Sequence, residues 1–186
     1  MKIITGISKV ESEIVERGKK PVSTILVSQP EPQDKNSQYF RLAEKYDLKI
    51  DFRAFIKVVP IELNEFKEQK VNILSHTAVI FISRHGVDFF FDLCKQLNIV
   101  VPAEMKYFCI SEAVAYYHQK YVAYRKRKIF FGKQTILDLV DVLKKHKKET
   151  FLLPCADRLR DRIPMTLEDN NLRFTKAVLY RTVAAD

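Results

Sequence analysis

Small polar and basic residues follow several apolar runs of this chain, at positions where helix N-termini could bind anions. The runs are predicted strands, and the residues after them are Ser28, Gln29, Ser83, Arg84, Ser111, Gly132, Lys133, Asp157 and Arg158. Ligands of parallel α/β sheets bind beyond the carboxyl ends of the strands, where the free N–H groups of helices attract anions. Each serine or aspartate alone is more often a helix N-cap than a ligand contact. Their joint position at one sheet edge therefore indicates a binding site.

The sequence lacks the patterns of several other chemistries. It has no Walker loop, no dinucleotide fingerprint and no nucleophile elbow, and its 4 glycines give little support to a phosphate-cradling loop. No metal site is expected, because none of the histidines has paired-ligand spacing: His76, His85, His118 and His146. No C-x-x-C pair occurs, so buried reduced thiols are predicted at Cys94, Cys109 and Cys155.

Composition narrows the class of protein but leaves the partner open. The chain has 186 residues, 47% of them hydrophobic, which is enough for one sizeable core or two small ones. No run approaches the roughly 18 apolar residues of a membrane span and no secretory signal is recognisable, so we expect a cytoplasmic protein. The net charge of +9 favours an anionic partner, whether nucleic acid, membrane surface or polycarboxylate, although a solvated basic face explains it equally well.

The segment from Phe151 to Val183 predicts a strand, a helix and a second strand. Pro154 is expected to end the first strand, because proline has no N–H to donate. Asp157 is expected to cap a helix whose apolar stripe is formed by Leu159, Ile163 and Leu167. A turn at 170–171 then leads into the β-rich run at the end of the chain.

The preceding sequence repeats this alternation. Strands are predicted at 24–28, 77–82 and 106–110, Ser111 is expected to cap the helix after the last of them, and an amphipathic helix is expected to carry Leu63, Phe66 and Leu74. The aromatic run Phe89, Phe90 and Phe91 is expected in the core and not against a cofactor. The repeated pattern predicts an α/β fold with a parallel sheet covered on both faces.

Three segments resemble uroporphyrinogen-III synthase. The strongest is Ala177–Val183, which contains Tyr-x-Thr-Val and follows Pro-Cys-Ala-Asp at 154–157. The others are Ala78–Val87, where Ile82 replaces the usual Thr, and Tyr107–Val114, where Ile110 and Ala113 depart from the family's Gly and Thr. The resemblance covers roughly residues 24–183, and the order and spacing of the motifs carry it.

The resemblance implies a division of the chain into parts of two flavodoxin-like, doubly wound domains. Residues 1–22 are expected to be a mobile extension, 23–52 an incomplete first domain, 53–181 a complete second domain, and 182–186 the return to the first. The family has a further stretch that completes the first domain, so half of the cleft is expected to be absent here. The family is monomeric. The strand at 24–28 is expected to be left unpaired, and therefore to dimerise by strand addition or to stay mobile.

The resemblance also implies a reaction and roles for particular residues. The family cyclises hydroxymethylbilane, a polycarboxylate tetrapyrrole, with loss of a hydroxyl group and inversion of the last pyrrole ring, and it uses no metal or cofactor. Tyr180 matches the tyrosine proposed to assist loss of the hydroxyl, although a buried structural tyrosine is an equal reading. Arg84, Lys133 and Arg158 are predicted to contact substrate carboxylates.

A non-catalytic α/β module that binds polyanions is the alternative. The segment from Tyr121 to Lys133 alternates aromatic and basic residues, a composition that can hold single-stranded nucleic acid by stacking and phosphate contacts. The family resemblance favours the tetrapyrrole instead, with no nucleic-acid and no membrane partner.

Overall fold

The computed structural model describes residues 21–123 and 128–185. The predicted extension at 1–22 lies outside this range except for its last two residues. The strands and α-helices are β1 (Thr24–Val27), α1 (Gln38–Tyr46), β2 (Lys49–Phe52), β3 (Ile56–Pro60), α2 (Leu63–Glu68), β4 (Ala78–Phe81), α3 (Arg84–Gln96), β5 (Lys106–Cys109), α4 (Glu112–His118), β6 (Ile129–Phe131), α5 (Ile136–Lys145), β7 (Phe151–Ala156), α6 (Arg162–Asp169) and β8 (Phe174–Ala184). Strands and helices alternate along the described chain except at β2 and β3, which follow each other directly. None of its helices is long and apolar enough to cross a membrane.

The described residues form two compact units. Unit 1 consists of residues 21–56 with 184–185, and unit 2 consists of residues 57–183. The more specific prediction, that these are parts of two domains of one enzyme, stays a prediction.

Unit 1 is a single strand–helix–strand motif. Strands β1 and β2 pair in parallel, with Ile25 opposite Ile50. Helix α1 connects them, and its Tyr39 and Phe40 rings lie edge-on to Phe52 at 5.4 and 5.9 Å. The prediction that β1 is unpaired is therefore wrong, because the short β2 has the right length and alternation to pair with it. Even so, no described residue between 21 and 56 is fully buried.

Unit 2 is a six-stranded sheet in the order β3-β8-β7-β4-β5-β6. Neighbours from β8 to β6 are all parallel. Alternate residues of β4 enter two separate apolar clusters: Val79 and Phe81 pack with α3 and α4, whereas Ala78 and Ile80 pack with α5 and α6. The prediction of a parallel sheet covered on both faces is confirmed.

Two of the three phenylalanines of α3, Phe90 and Phe91, pack against other aromatic rings of the core, as predicted. Phe90 is completely buried and lies edge-on to Phe81 at 5.6 Å. Phe91 is partly buried and stacks on Tyr121 at 4.5 Å. Phe89 differs because its ring lies against Tyr180, a contact described with the site below.

Strand β7 continues two residues beyond Pro154, so the prediction that proline ends it is wrong. The Phe151 amide donates to the Arg173 carbonyl on the β8 side. Because successive residues of a strand point to opposite sides, the nitrogen of Pro154 is directed toward β4. There the paired register has already ended at Leu152. The proline therefore removes no hydrogen bond from the sheet.

Helix α6 begins later than predicted. It runs from Arg162, with Asp161 at its N-cap, so Asp157 does not cap it. Pro164 explains the shift: a helix starting near Asp157 would place its ring inside the helix, where it clashes with a carbonyl, whereas the first turn tolerates it. Leu167 is still fully buried, as the stripe predicted.

One smaller expectation also needs correction. The predicted helix through Leu63, Phe66 and Leu74 ends at Glu68, and a separate 3₁₀ turn spans Ile73–Ser75. In that turn Ile73 is buried and Leu74 is exposed. A 3₁₀ turn has three residues per turn, so its side chains do not continue the apolar stripe of the preceding α-helix.

Candidate functional site

The carboxyl ends of four parallel neighbours lie at one edge of the unit 2 sheet. The strands are β7, β4, β5 and β6, in that order. The residues that follow them include seven of the nine predicted binding residues: Ser83, Arg84, Ser111, Gly132, Lys133, Asp157 and Arg158. The other two, Ser28 and Gln29, follow β1 in unit 1, where the Tyr39 hydroxyl donates to Gln29 Oε1 at 3.4 Å. The binding roles of all nine stay predictions.

Tyr180 lies in the second half of β8 and is connected to this edge through a hydrogen bond to Ser83. The two hydroxyl oxygens are 3.0 Å apart, and either group can be the donor. Ser83 Oγ also accepts from the Gly86 amide at 2.9 Å, which makes Ser83 the N-cap of α3. One serine hydroxyl thus connects the first turn of α3 to the phenol of Tyr180 on β8.

A β-bulge directs Tyr180 toward α3. Cys155 of β7 pairs with Val178, but Ala156 pairs with Tyr180, so Leu179 is the extra residue. Successive residues of a regular strand point to opposite faces, yet Leu179 and Tyr180 both belong to the apolar cluster on the α3 face. The sequence gives no direct sign of this bulge.

The surroundings of Tyr180 keep its phenol protonated near neutral pH. Burial raises the pKa of Tyr180, and the hydrogen bond with Ser83 offsets part of that increase. The Phe89 ring stacks on the tyrosine ring at 5.2 Å, and the exposed His85 ring lies 6.1 Å away. A neutral phenol fixed in this way can donate a proton to a leaving group.

His85 and Phe89 were not predicted as residues around Tyr180. They are four positions apart on α3 and therefore lie on the same face of the helix. Their positions could have been read from the sequence, because both lie in the first two turns of the helix that follows Ser83. What the sequence could not show is that β8 brings Tyr180 to that face.

The turn after β7 is held against Tyr180 by the backbone. The Asp157 amide donates to the Tyr180 carbonyl at 3.0 Å, and Asp157 Oδ1 accepts from the Arg158 amide at 2.8 Å. Both side chains are exposed. Arg158 is therefore placed at the edge with its guanidinium accessible to an anion.

Gly132 has a packing role at the end of β6. A Cβ atom there would lie 3.1 Å from the Ile110 carbonyl oxygen and 3.2 Å from Asp138 Cβ. Asp138 Oδ2 accepts from the Thr135 amide at 2.8 Å, and this bond leads the effects that lower the pKa of Asp138. A carboxylate at the start of α5 makes the Gly132–Lys133 turn less receptive to an anion than the start of α3.

Ser111 caps α4, as predicted, by accepting from the Val114 amide at 3.4 Å. The three cysteines are also as predicted, free and buried, and burial raises the pKa of Cys94 and Cys155 to about 11 and that of Cys109 to about 12. A thiol in such surroundings is a poor nucleophile. Across residues 21–123 and 128–185, no group of histidine, cysteine and carboxylate side chains has the arrangement of a metal site.

The aromatic and basic segment at 121–133 falls partly outside the described residues, which omit 124–127. Within the described part, the Tyr121 hydroxyl donates to Asp88 Oδ1 at 2.7 Å and its ring stacks on Phe91. This ring is therefore already engaged within the protein, which weakens the case for base stacking.

Comparisons with protein-family models and with solved structures agree on one family. The sequence model of uroporphyrinogen-III synthase HemD matches residues 37–186. No curated protein matches the chain.

Solved structures share the fold. A mutant uroporphyrinogen III synthase from the extremely thermophilic bacterium Thermus thermophilus matches with a TM-score of 0.60 and 12% identity, over 89% of this chain and 64% of that one. Uroporphyrinogen-III synthetase from Helicobacter pylori matches with a TM-score of 0.53 and 16% identity, over 89% and 64%. The chain thus spans about 64% of the length of these relatives.

Proposed function

Because this chain belongs to the uroporphyrinogen-III synthase family, we propose that it catalyses the cyclisation of hydroxymethylbilane to uroporphyrinogen III, with inversion of the last pyrrole ring. The hydrogen-bonded pair of Tyr180 and Ser83 at the carboxyl edge of the sheet is the observation that supports this most strongly. The predicted cytoplasmic location is part of this proposal.

In the proposed reaction, Tyr180 is the general acid. The pyrrole nitrogen supplies an electron pair, the carbon–oxygen bond of the hydroxymethyl group breaks, and the phenol proton converts the departing hydroxyl into water. Ser83 can then donate its proton in a hydrogen bond to the phenolate, which stabilises the charge that develops. Phe89 holds the tyrosine ring in position by stacking on it. The substrate supplies its own nucleophile, since the electron-rich last ring attacks the resulting cation. The proton that this ring loses when its aromaticity is restored can return to the Tyr180 phenolate, which completes the cycle.

The substrate carboxylates would be bound by exposed cations and helix starts. Arg84, Lys133 and Arg158 are exposed at the edge where Tyr180 lies, and an arginine fork fits a carboxylate well. Ser111, Gly132 and Asp157 would line the same edge. Ser28 and Gln29 stay predicted substrate contacts.

Product analysis tests the proposal directly. The chain is incubated with freshly prepared hydroxymethylbilane, and the oxidised products are separated into type I and type III isomers. Type III product from the unmodified chain supports the proposal, and only the spontaneous type I isomer contradicts it.

A Tyr180→Phe variant tests the role of the phenol. We expect the rate of type III formation to fall about 100-fold, the lower end of what a general acid contributes. Tyr116→Phe is the matched control, because Tyr116 is 75% exposed on α4 and removal of its hydroxyl should leave the rate unchanged. Equal rates for the two variants would exclude Tyr180 as the acid.

A further inference from the structure

A group of cationic and aromatic side chains connects α3 to α4 next to Ser83. The Arg84 guanidinium carbon lies 5.5 Å from the centre of the Tyr117 ring, and Lys120 Nζ lies 4.1 Å from the same centre. Both cations therefore share one aromatic ring. We call Arg84, Tyr117 and Lys120 the cation–tyrosine cluster.

Asp88 holds the Tyr117 ring of this cluster in position but forms no ion pair with its two cations. Its Oδ2 accepts from the Tyr117 hydroxyl and its Oδ1 from the Tyr121 hydroxyl, both at 2.7 Å. Arg84 and Asp88 are four residues apart on α3, a spacing at which ion pairs commonly form. Here both carboxylate oxygens accept from phenols. Asp88 therefore positions the two tyrosines and does not pair with Arg84.

The two cations of the cluster keep their charge available. In the part of the chain that the structure describes, neither Arg84 nor Lys120 lies within ion-pairing distance of a carboxylate. Both side chains are exposed. Two like charges held near one ring repel each other, and an anion with two separate carboxylates would relieve this repulsion by contacting both.

We propose that the cation–tyrosine cluster binds one neighbouring acetate and propionate pair of the substrate. Arg84 and Lys120 contact the two carboxylates, and Tyr117 and Asp88 are positioning residues. The inference rests on the proposed function, because the substrate class comes from it. The cluster lies next to the proposed catalytic group, since Arg84 directly follows Ser83, whose hydroxyl is hydrogen-bonded to Tyr180.

Two measurements on the full chain test this proposal. The first is the KM and kcat for hydroxymethylbilane, and the second is calorimetric binding of benzenehexacarboxylate, a stable polycarboxylate, at low ionic strength. We expect Arg84→Gln and Lys120→Gln each to raise KM and weaken probe binding about fivefold, with kcat unchanged. Arg84→Lys keeps the charge and should recover part of the loss. Lys144→Gln is the control, because it removes the same charge from an exposed position on α5.

Tyr117→Leu separates the ring from the charges. It keeps both cations but removes their shared ring and releases one oxygen of Asp88, which can then pair with Arg84. We expect about the same fivefold loss of probe affinity as in the charge variants. If Arg84→Gln and Lys120→Gln match Lys144→Gln in both measurements, the proposal is overturned, whatever the fold of the Tyr117 variant.

The outcome also distinguishes this inference from the proposed function. If the unmodified chain makes only the type I isomer but binds the probe through Arg84 and Lys120, the polyanion site stands and the synthase activity does not. If it makes the type III isomer with unchanged KM in both charge variants, the activity stands and this site does not.

Discussion

Unit 1 and unit 2 are built from the same strand–helix–strand motif, yet only unit 2 buries residues completely. Its six-stranded sheet has an apolar cluster on each face, whereas no described residue between 21 and 56 is fully buried. A two-stranded sheet with one helix can cover only part of its surface, and such small motifs are marginal by themselves. Local sequence patterns are thus sufficient to form the elements, but a core requires several neighbouring strands.

Amide hydrogen exchange should show the largest difference between the units. Both Ile25 and Val79 lie in paired parallel strands. We expect the amides of β4 to be protected at least about a thousandfold more than those of β1, because they exchange only when the core opens. Mass spectrometry of exchanged peptides measures this. Strong protection of β1 would mean that unit 1 is as stable as unit 2, and would break the comparison.

Truncation of one phenylalanine in each unit should give unequal losses of stability. Phe81 is completely buried among aromatic rings, so Phe81→Ala should cost about 3–5 kcal/mol of unfolding free energy. Phe52 of unit 1 is only partly buried, and Phe52→Ala should cost about 1 kcal/mol or less in the main transition. Denaturant titration followed by circular dichroism measures both. Similar losses would show that unit 1 contributes to the same cooperative core.

The pH dependence of stability should also be confined to unit 2, where all four histidines lie. Burial lowers the pKa of His118 to about 4, and neither ring nitrogen has a hydrogen-bond partner among the described residues. Between about pH 6.5 and 4 the unfolded chain binds a proton that the native state excludes. Stability should therefore decrease as the pH falls through this range, by about 3 kcal/mol in total.

His118→Phe is the variant that isolates this effect. The ring of His118 lies among Phe81, Phe91 and Tyr107, so a phenylalanine fits the apolar surroundings. Denaturant titrations at several values between neutral pH and the pKa of His118 should show a smaller loss of stability in the variant than in the unmodified chain. The same slope in both would assign the pH dependence to other groups.

Removal of helix N-caps should give the smallest effects. Ser111 caps α4 in unit 2 and Ser37 caps α1 in unit 1, each by accepting an amide hydrogen bond at 3.4 Å. Ser111→Ala should lower the stability of the main unfolding transition by about 1 kcal/mol. Ser37→Ala should leave that transition unchanged and only increase exchange in α1. A shift of the main transition by Ser37→Ala would link the two units energetically.

The sequence predicted the elements that depend on short-range signals. The apolar run at 77–82 and the cap at Ser111 were both right, because a buried strand and a helix start are specified by a few adjacent residues. Pro154 was misread because its effect depends on whether β4 is still paired beside it, which is a long-range fact. The unpaired state expected for β1 was wrong for the same reason, since strand pairing is decided between segments.

The sequence was sufficient to predict that the site lies at the carboxyl edge of the sheet, but not that Ser83 and Tyr180 contact each other there. Ser83 and Tyr180 were each named, from a turn position and from a family motif. Their hydrogen bond depends on the bulge in β8, which no local pattern announces. Lys120 was missed because it follows the end of a helix, and only packing against α3 places it beside Arg84 at the Tyr117 ring.

The three buried cysteines can report the opening of unit 2. Alkylating reagents need an accessible thiolate, and burial keeps Cys94, Cys109 and Cys155 both enclosed and protonated. Since the three thiols lie on α3, β5 and β7, they should become reactive together when unit 2 opens. The rate at which three labels appear at once, read from the intact mass of the alkylated chain, then gives the lifetime of the folded sheet.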